Sequence, residues 1–257
     1  MNAQPLFKYR TLNCDDPENL KRVEHIFLHN ELFFPPPSKL NDPFDCKILP
    51  FFQTSEDIFK KHLVERIKAD QDFPDAPDNV IEAFADKMVA EGMHENKAEV
   101  ISAFKSSLEK TLEGVGVCSF SEKSDDILMW SHYANGHTGF CLEFDVLSGN
   151  SFFSRAIDVS YEEAYPSLNF YENKKWMQTI ILTKSNRWKY EAEWRILKYD
   201  GPGVEKFPEA SLSSVILGCR MQEKEKNIIR NLVSKRSSKV QIKEARIKEY
   251  EFGLEII

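Results

Sequence analysis

The chain has no CxxC pair, no apolar run long enough to cross a membrane and no surplus of positive charge. Each lack closes off a class of protein. Its five cysteines, Cys14, Cys46, Cys118, Cys141 and Cys219, are odd in number and widely spaced. That argues against a disulfide framework and a cysteine-rich zinc site, and fits reduced thiols in a cytoplasm. No stretch approaches the ~20 apolar residues of a spanning helix. The opening MNAQPLFKYR lacks the apolar region of a secretory signal. Lys and Arg number 34 against 41 Asp and Glu, a net charge of −7, so general nucleic-acid binding is not the default expectation. GxGxxG, P-loop, GxSxG and HExxH motifs are missing, as are internal repeats and low-complexity tracts.

What is present is enough for a sizeable core: 257 residues, 42% hydrophobic and 12% aromatic. Charge is uneven, because residues 220–248 hold ten Lys and Arg against three Asp and Glu. A solvated basic face or a phosphate-attracting site would explain that run.

The pattern predicts an α+β chain. Residues 6–12 read as a first strand. A helix follows, capped by Asp15 or Asp16, with Pro17 in its first turn, a Leu20, Val23, Ile26, Phe27 stripe and a stop at Asn30. A short strand, Leu32–Phe34, leads into PPPSKLNDPFD, a rigid loop with a polar tip. Residues 54–113 carry three helical patterns, the first broken by DFPDAPD, with Gly92 and Gly114 as residues just past helix ends. They read as a helical insertion or cap within a single domain spanning 1–257. Strands are expected at 115–120 and 138–145, around a short helix capped by Ser124-Asp125-Asp126 and closed by Asn135-Gly136. Residues 162–188 read as helical, 189–197 as an alternating strand, 214–218 as a strand, 222–235 as a helix and 239–256 as a long strand or hairpin. The sum is a mixed or antiparallel sheet with flanking helices.

Three constellations could carry chemistry. GVCSFSEKSDDILMWSHYANGHTGFCLEFD, residues 116–145, gathers Ser119, Ser121, Trp130, His132, Tyr133 and His137 between two core strands. Its plain alternative is core aromatics and capping serines. The five-residue spacing of His132 and His137 does not give one helix face, so no metal is expected there, even with Glu143 or Asp145 nearby. In Trp188–Arg195, alternation puts Glu191, Glu193 and Arg195 on one strand face and Tyr190, Ala192 and Trp194 on the other. That is a salt-bridge ladder on a solvent face, or a pair of carboxylates held rigid by aromatic backing. Lys8-Tyr9-Arg10 is a plain surface strand, or a clamp for phosphate or carboxylate.

FKYR, FPPPSKLNDPFD, VCSFSEKSDDILMWSHYANGHTGFCLEFD and KYEAEWRIL, in this order, resemble a bacterial family known as domain of unknown function twenty-nine seventy-one. More distantly, the chain is similar to the ADP-ribosyltransferase superfamily, including its DNA-modifying toxins. Those proteins open on a strand bearing His or Arg, continue with a serine-containing strand leading to a helix with an aromatic, and place a Glu on a later strand. The matching positions are Arg10 (or Lys8), Ser119–Ser121 with Tyr133, and Glu193, with Glu191 as the other candidate carboxylate. The first strand here has no His, and the helical segment separates the first motif from the second.

This resemblance implies an ADP-ribosyltransferase-like fold and NAD as substrate, with Glu193, Tyr133 and Arg10 as catalytic residues. Lys8, Tyr9, Ser119, Ser121, Trp130, His132 and Glu191 would surround the nucleotide. Breaking the nicotinamide–ribose bond passes through an oxocarbenium-like transition state. A fixed Glu193 would stabilise it, Tyr133 or Trp130 would stack on nicotinamide, and Arg10 would pair with the pyrophosphate. The expected setting is bacterial defence, including phage defence, or stress, with a nucleic-acid or protein acceptor. Two other classes remain open. One is a non-enzymatic nucleotide-sensing or protein-interaction module using residues 54–113 as its contact surface. The other is a hydrolase pairing His132 or His137 with Glu143, Asp145, Glu191 or Glu193.

Overall fold

The computed structural model describes residues 4–69, 76–95, 97–146, 152–169, 171 and 175–257. Strand β1 (Leu6–Arg10) enters, followed by helix α1 (Pro17–His29) and β2 (Glu31–Phe34). The ends of α1 follow from local chemistry. Asp16 accepts hydrogen bonds from the amides of Glu18 and Asn19, and Asn30 closes the helix at φ 58°. After β3 (Leu49–Phe51) come α2 (Glu56–Ala69), α3 (Asp78–Ala90) and α4 (Ala98–Glu113). Gly92 takes φ 68° after α3, whereas Gly114 ends α4 at φ −82°, so a left-handed residue is needed only at the first. Most of DFPDAPD lies outside the described residues.

Next come β4 (Gly116–Ser121), α5 (Ile127–Tyr133) and β5 (Phe140–Phe144). Asp126 caps α5, and Asn135 and Gly136 leave it in the left-handed region. The region read as a helix over 162–188 is instead a mixture of short strands and one short helix. It holds β6 (Ile157–Asp158) just before it, then β7 (Ser160–Glu162), β8 (Ser167–Asn169), a single short helix α6 (Trp176–Leu182) and β9 (Thr183–Ser185). The apolar residues of 176–181 dominate the helical pattern, while strand pairing decides the rest: β7 runs parallel to β9 and β8 parallel to β3. The chain ends with β10 (Glu193–Lys198), β11 (Gly203–Lys206), β12 (Leu212–Leu217), α7 (Glu223–Ser234), β13 (Gln241–Ile247) and β14 (Leu254–Ile256).

Eight strands form one sheet in the order β14-β13-β12-β5-β1-β4-β10-β6. Every neighbouring pair is antiparallel except β12 with β13. The molecule is therefore α+β with a mixed, mostly antiparallel sheet. One face packs Leu6, Phe120, Phe140, Phe144, Ile196 and Val215 under Val23, Ile26 and Phe27 of α1 and Ile229 and Leu232 of α7. The other packs Phe7, Tyr9, Cys141 and Ile216 against Met129 and Trp130 of α5. A third cluster joins Val117 and Leu197 to α4 and α6 through Leu108, Leu112, Ile180 and Ile181. Helix α4 is thus part of the core. No helix among the described residues is long and apolar enough to cross a membrane.

Four of the ten cations in the basic run near the C-terminus meet carboxylates. Lys226 and Arg230 meet Glu223 and Glu244, Lys243 meets Glu143, and Lys248 meets Glu251.

Candidate functional site

The strands that carry the candidate residues lie side by side: β1, β4 and β10 are consecutive in the sheet. Strands β10 and β4 pair over their full lengths, with Glu193 opposite Ser121 and Arg195 opposite Ser119. By contrast, β1 and β4 are in register only at Phe7 and Ser121. Past that point a cleft of about 690 Å³ opens, walled by β1, β4, α1, β2, the loop after β2 and the segment before β10. Lys8, Tyr9, Arg10, Ser119, Ser121, Tyr133, Glu191 and Glu193 all line it.

Alternation along β10 would make Glu191 and Glu193 part of an exposed ladder. The structure overturns this. Residues Asn186–Glu191 form a 3-10 turn, and Ala192 adopts φ 42°, ψ 56°. That left-handed step takes Glu191 off the strand, Glu193 keeps its place on the face of Arg195, and both carboxylates meet Lys184. Glu191 and Glu193 are only 3% and 5% exposed. The Lys184 ammonium donates to Glu191 at 2.5 Å and to Glu193 at 2.8 Å. Arg195, fully buried, grips Glu193 through Nε at 2.8 Å and Nη2 at 3.1 Å. Its other edge donates to both oxygens of Asp45 and to the carbonyl of Ile181.

The network continues on the cleft side. Tyr133 donates its hydroxyl proton to Glu191 at 2.6 Å and accepts from the amide of Asn41 at 3.0 Å. Ser121 donates to the backbone carbonyl of Glu191 at 2.6 Å, fixing the turn. Tyr161 accepts the amide of Glu193 at 2.8 Å.

These surroundings push the two carboxylates in opposite directions. Burial works against the charge of Glu193, but Arg195 and Lys184 outweigh it and hold the group down at about 2. Glu191 is raised, because burial prevails over Lys184 and Tyr133. One carboxylate stays ionised and the other holds a proton more readily, which is how paired acids acquire different roles.

The β1 side of the cleft is cationic. Lys8 is buried, donates to the Ser119 carbonyl at 2.7 Å and sits over the Phe120 ring. Burial lowers its proton affinity, and the same holds for Arg10. The Arg10 Nε is buried without a hydrogen-bond partner.

Several candidates lie elsewhere. Trp130 is fully buried; it donates to the Ser124 carbonyl and packs against Tyr9, so it underlies the site without lining it. The Tyr9 hydroxyl turns away to the Lys123 carbonyl. His132 is exposed beside Trp188 and Tyr190, and His137 stacks on Trp130. Glu143 is engaged by Lys243 and Ser214. No group of three or more His, Cys, Asp or Glu among the described residues is arranged to hold a metal.

Four members of the network, Asp45, Asn41, Lys184 and Tyr161, were not singled out from sequence. Asp45 and Asn41 sit at the end of a proline-stiffened loop, a placement that could have marked them. Lys184 fell inside a stretch read as helix, and nothing local signals its role.

The segment running from α5 into β10 supplies Tyr133, Lys184, Glu191, Glu193 and Arg195. That same segment, residues 129–196, matches the family model described as Protein of unknown function (DUF2971). That segment is similar to this family. No curated protein and no solved structure gives a significant match.

Proposed function

We propose that the cleft binds NAD and that the protein is an ADP-ribosyltransferase-like enzyme that breaks the nicotinamide–ribose bond, acting in bacterial defence or stress. The reading rests on one observation: Arg10, Tyr133, Glu191 and Glu193 line a single cleft. It is supported by the order of the strands, since the arginine, serine and glutamate strands of the resemblance are neighbours here.

In this reading Arg10 and Lys8 take the pyrophosphate, and the ring of Tyr133, anchored by Asn41 and Glu191, forms a wall for nicotinamide. The bond between the ribose C1′ and the ring nitrogen breaks, and its electron pair leaves with nicotinamide. Glu193, a permanent anion, faces the positive charge that develops on the ribose. Glu191 accepts the proton of the incoming water or acceptor hydroxyl.

A second reading, a nucleotide sensor without turnover, is favoured by the full engagement of Glu193 with Arg195 and Lys184. Calorimetry with NAD, run beside chromatography of the products, separates the two. The enzyme reading expects binding and released nicotinamide. Arg10→Ala should then lose binding, while Tyr133→Phe and Glu193→Gln, checked for folding by circular dichroism, retain binding and lose cleavage. Binding without cleavage supports the sensor. No binding of NAD overturns the enzyme reading.

A further inference from the structure

The cleft extends beyond the paired carboxylates, and its outer part carries charge that those groups do not answer. Seven Lys and Arg side chains line it against five Asp and Glu, in a chain whose net charge is −7. Asp45, Glu191 and Glu193 are occupied by Lys184 and Arg195, and Glu31 shares a hydrogen bond with the His25 ring at 2.8 Å. Glu18 is the remaining carboxylate. Lys21 and Arg22 on α1 and Lys39 beyond β2 are exposed, line the cleft and have no carboxylate partner among the described residues. Burial, with Arg22 adding to it, lowers the proton affinity of Arg10, so the outer cations continue the inner pair.

The same rim holds an apolar plate. Phe33 of β2 is 52% exposed and Val204 of β11 is 51% exposed; the two are cross-strand partners, and both line the cleft. An exposed ring beside unpaired lysine and arginine matches the requirements of a single nucleic-acid strand. Its unstacked bases need a flat apolar surface and its phosphates need cations. A folded duplex offers no free base face, and an acidic peptide has no use for the ring.

We propose that the rim formed by Lys21, Arg22, Phe33 and Lys39 binds single-stranded nucleic acid, with a base on Phe33 and the backbone along the cations. The binding stands independently of the NAD reading. If both hold, the strand is the acceptor that takes the ADP-ribosyl group.

The test is fluorescence anisotropy with labelled 12-nucleotide single strands of DNA and RNA, without NAD, across a salt series. The wild-type chain should bind at least one strand more tightly than the matching duplex. Phe33→Ala should weaken binding by roughly 5- to 100-fold, the span of one base stack. Lys21→Glu with Arg22→Glu should weaken it further and reduce the slope of log affinity against log salt by roughly 1.4, the value for two lost single-strand phosphate contacts. All three positions are exposed, so folding should be unaffected, and circular dichroism checks this. Three results would overturn the proposal. They are no binding, binding untouched by either variant, and equal binding to poly-glutamate, which would reduce the rim to a general polyanion surface. Loss of binding in Lys235→Glu with Lys239→Glu, with the rim variants unchanged, would move the site to the C-terminal basic run.

Discussion

Arg195 and Asp45 lie 150 positions apart and meet as a two-pronged ion pair, at 3.0 Å between Nη1 and Oδ1 and 2.5 Å between Nη2 and Oδ2. Their side chains are 1% and 2% exposed. Charges so deeply buried are tolerated only when every donor and acceptor is satisfied, and Arg195 achieves this with Glu193 and the Ile181 carbonyl. From Asp45 the network runs through Arg195, Glu193, Lys184, Glu191 and Tyr133 to Asn41, and so returns to the loop it started from. The wall of the cleft is therefore fastened twice to the carboxylates it faces.

Asp45→Ala should cost about 3–5 kcal/mol of folding stability, because it leaves a buried guanidinium edge unpaired. The urea midpoint, compared with wild type at constant slope, measures this. A change below about 1 kcal/mol would show that Arg195 recovers its hydrogen bonds from water.

Acid should weaken the fold in a defined window. Glu193 is depressed in the folded chain from the ordinary 4.5 to about 2. Its contribution is then complete above pH 4.5 and is lost as pH falls toward 2, a loss on the order of 3 kcal/mol. Glu191, which is raised, gives a contribution of opposite sign above pH 4.5. Urea midpoints taken from pH 6 to pH 2 should therefore fall most steeply below pH 4.5. A flat profile there would contradict the ion pairing of Glu193.

Gly139 meets the backbone where Arg10 ends β1. A Cβ at this position would come within 2.2 Å of the Arg10 carbonyl and 3.0 Å of the Ala134 backbone. Neither obstacle is a flexible side-chain end, so Gly139→Ala should cost about 1–3 kcal/mol by overpacking. It should also weaken NAD binding by shifting Arg10. Gly136→Ala is the control, since its Cβ would meet nothing within 4 Å and only its φ of +60° opposes the change. Thermal melts and calorimetry on both variants check the pair, and equal effects would refute the Arg10 contact as the cause.

Local chemistry was readable in the chain. The cap at Asp16, the left-handed stop at Asn30, the α5 cap at Asp126 and the Asn135-Gly136 exit all depend on neighbours within a few residues. Strands β1, β4, β5 and β12 were legible for the same reason, because their apolar runs meet a fully buried sheet. The stretch 162–188 was not. Its short strands are stabilised by parallel partners far along the chain, and propensity carries no record of those.

The candidate site divides along the same line. Sequence by itself determined which residue types were available: Arg10 on the first strand, the Ser119–Tyr133 segment and the glutamates beside Arg195. Only the tertiary structure decided their states. A single left-handed residue, Ala192, takes Glu191 off the strand, while Glu193 keeps its strand place beside Arg195 and both carboxylates end in the interior. There Asp45 and Lys184, 150 and 11 positions from Arg195 in sequence, settle their charge. Burial and ion pairing depend on which groups share a low-dielectric space, and that is a property of the fold rather than of any window of the chain.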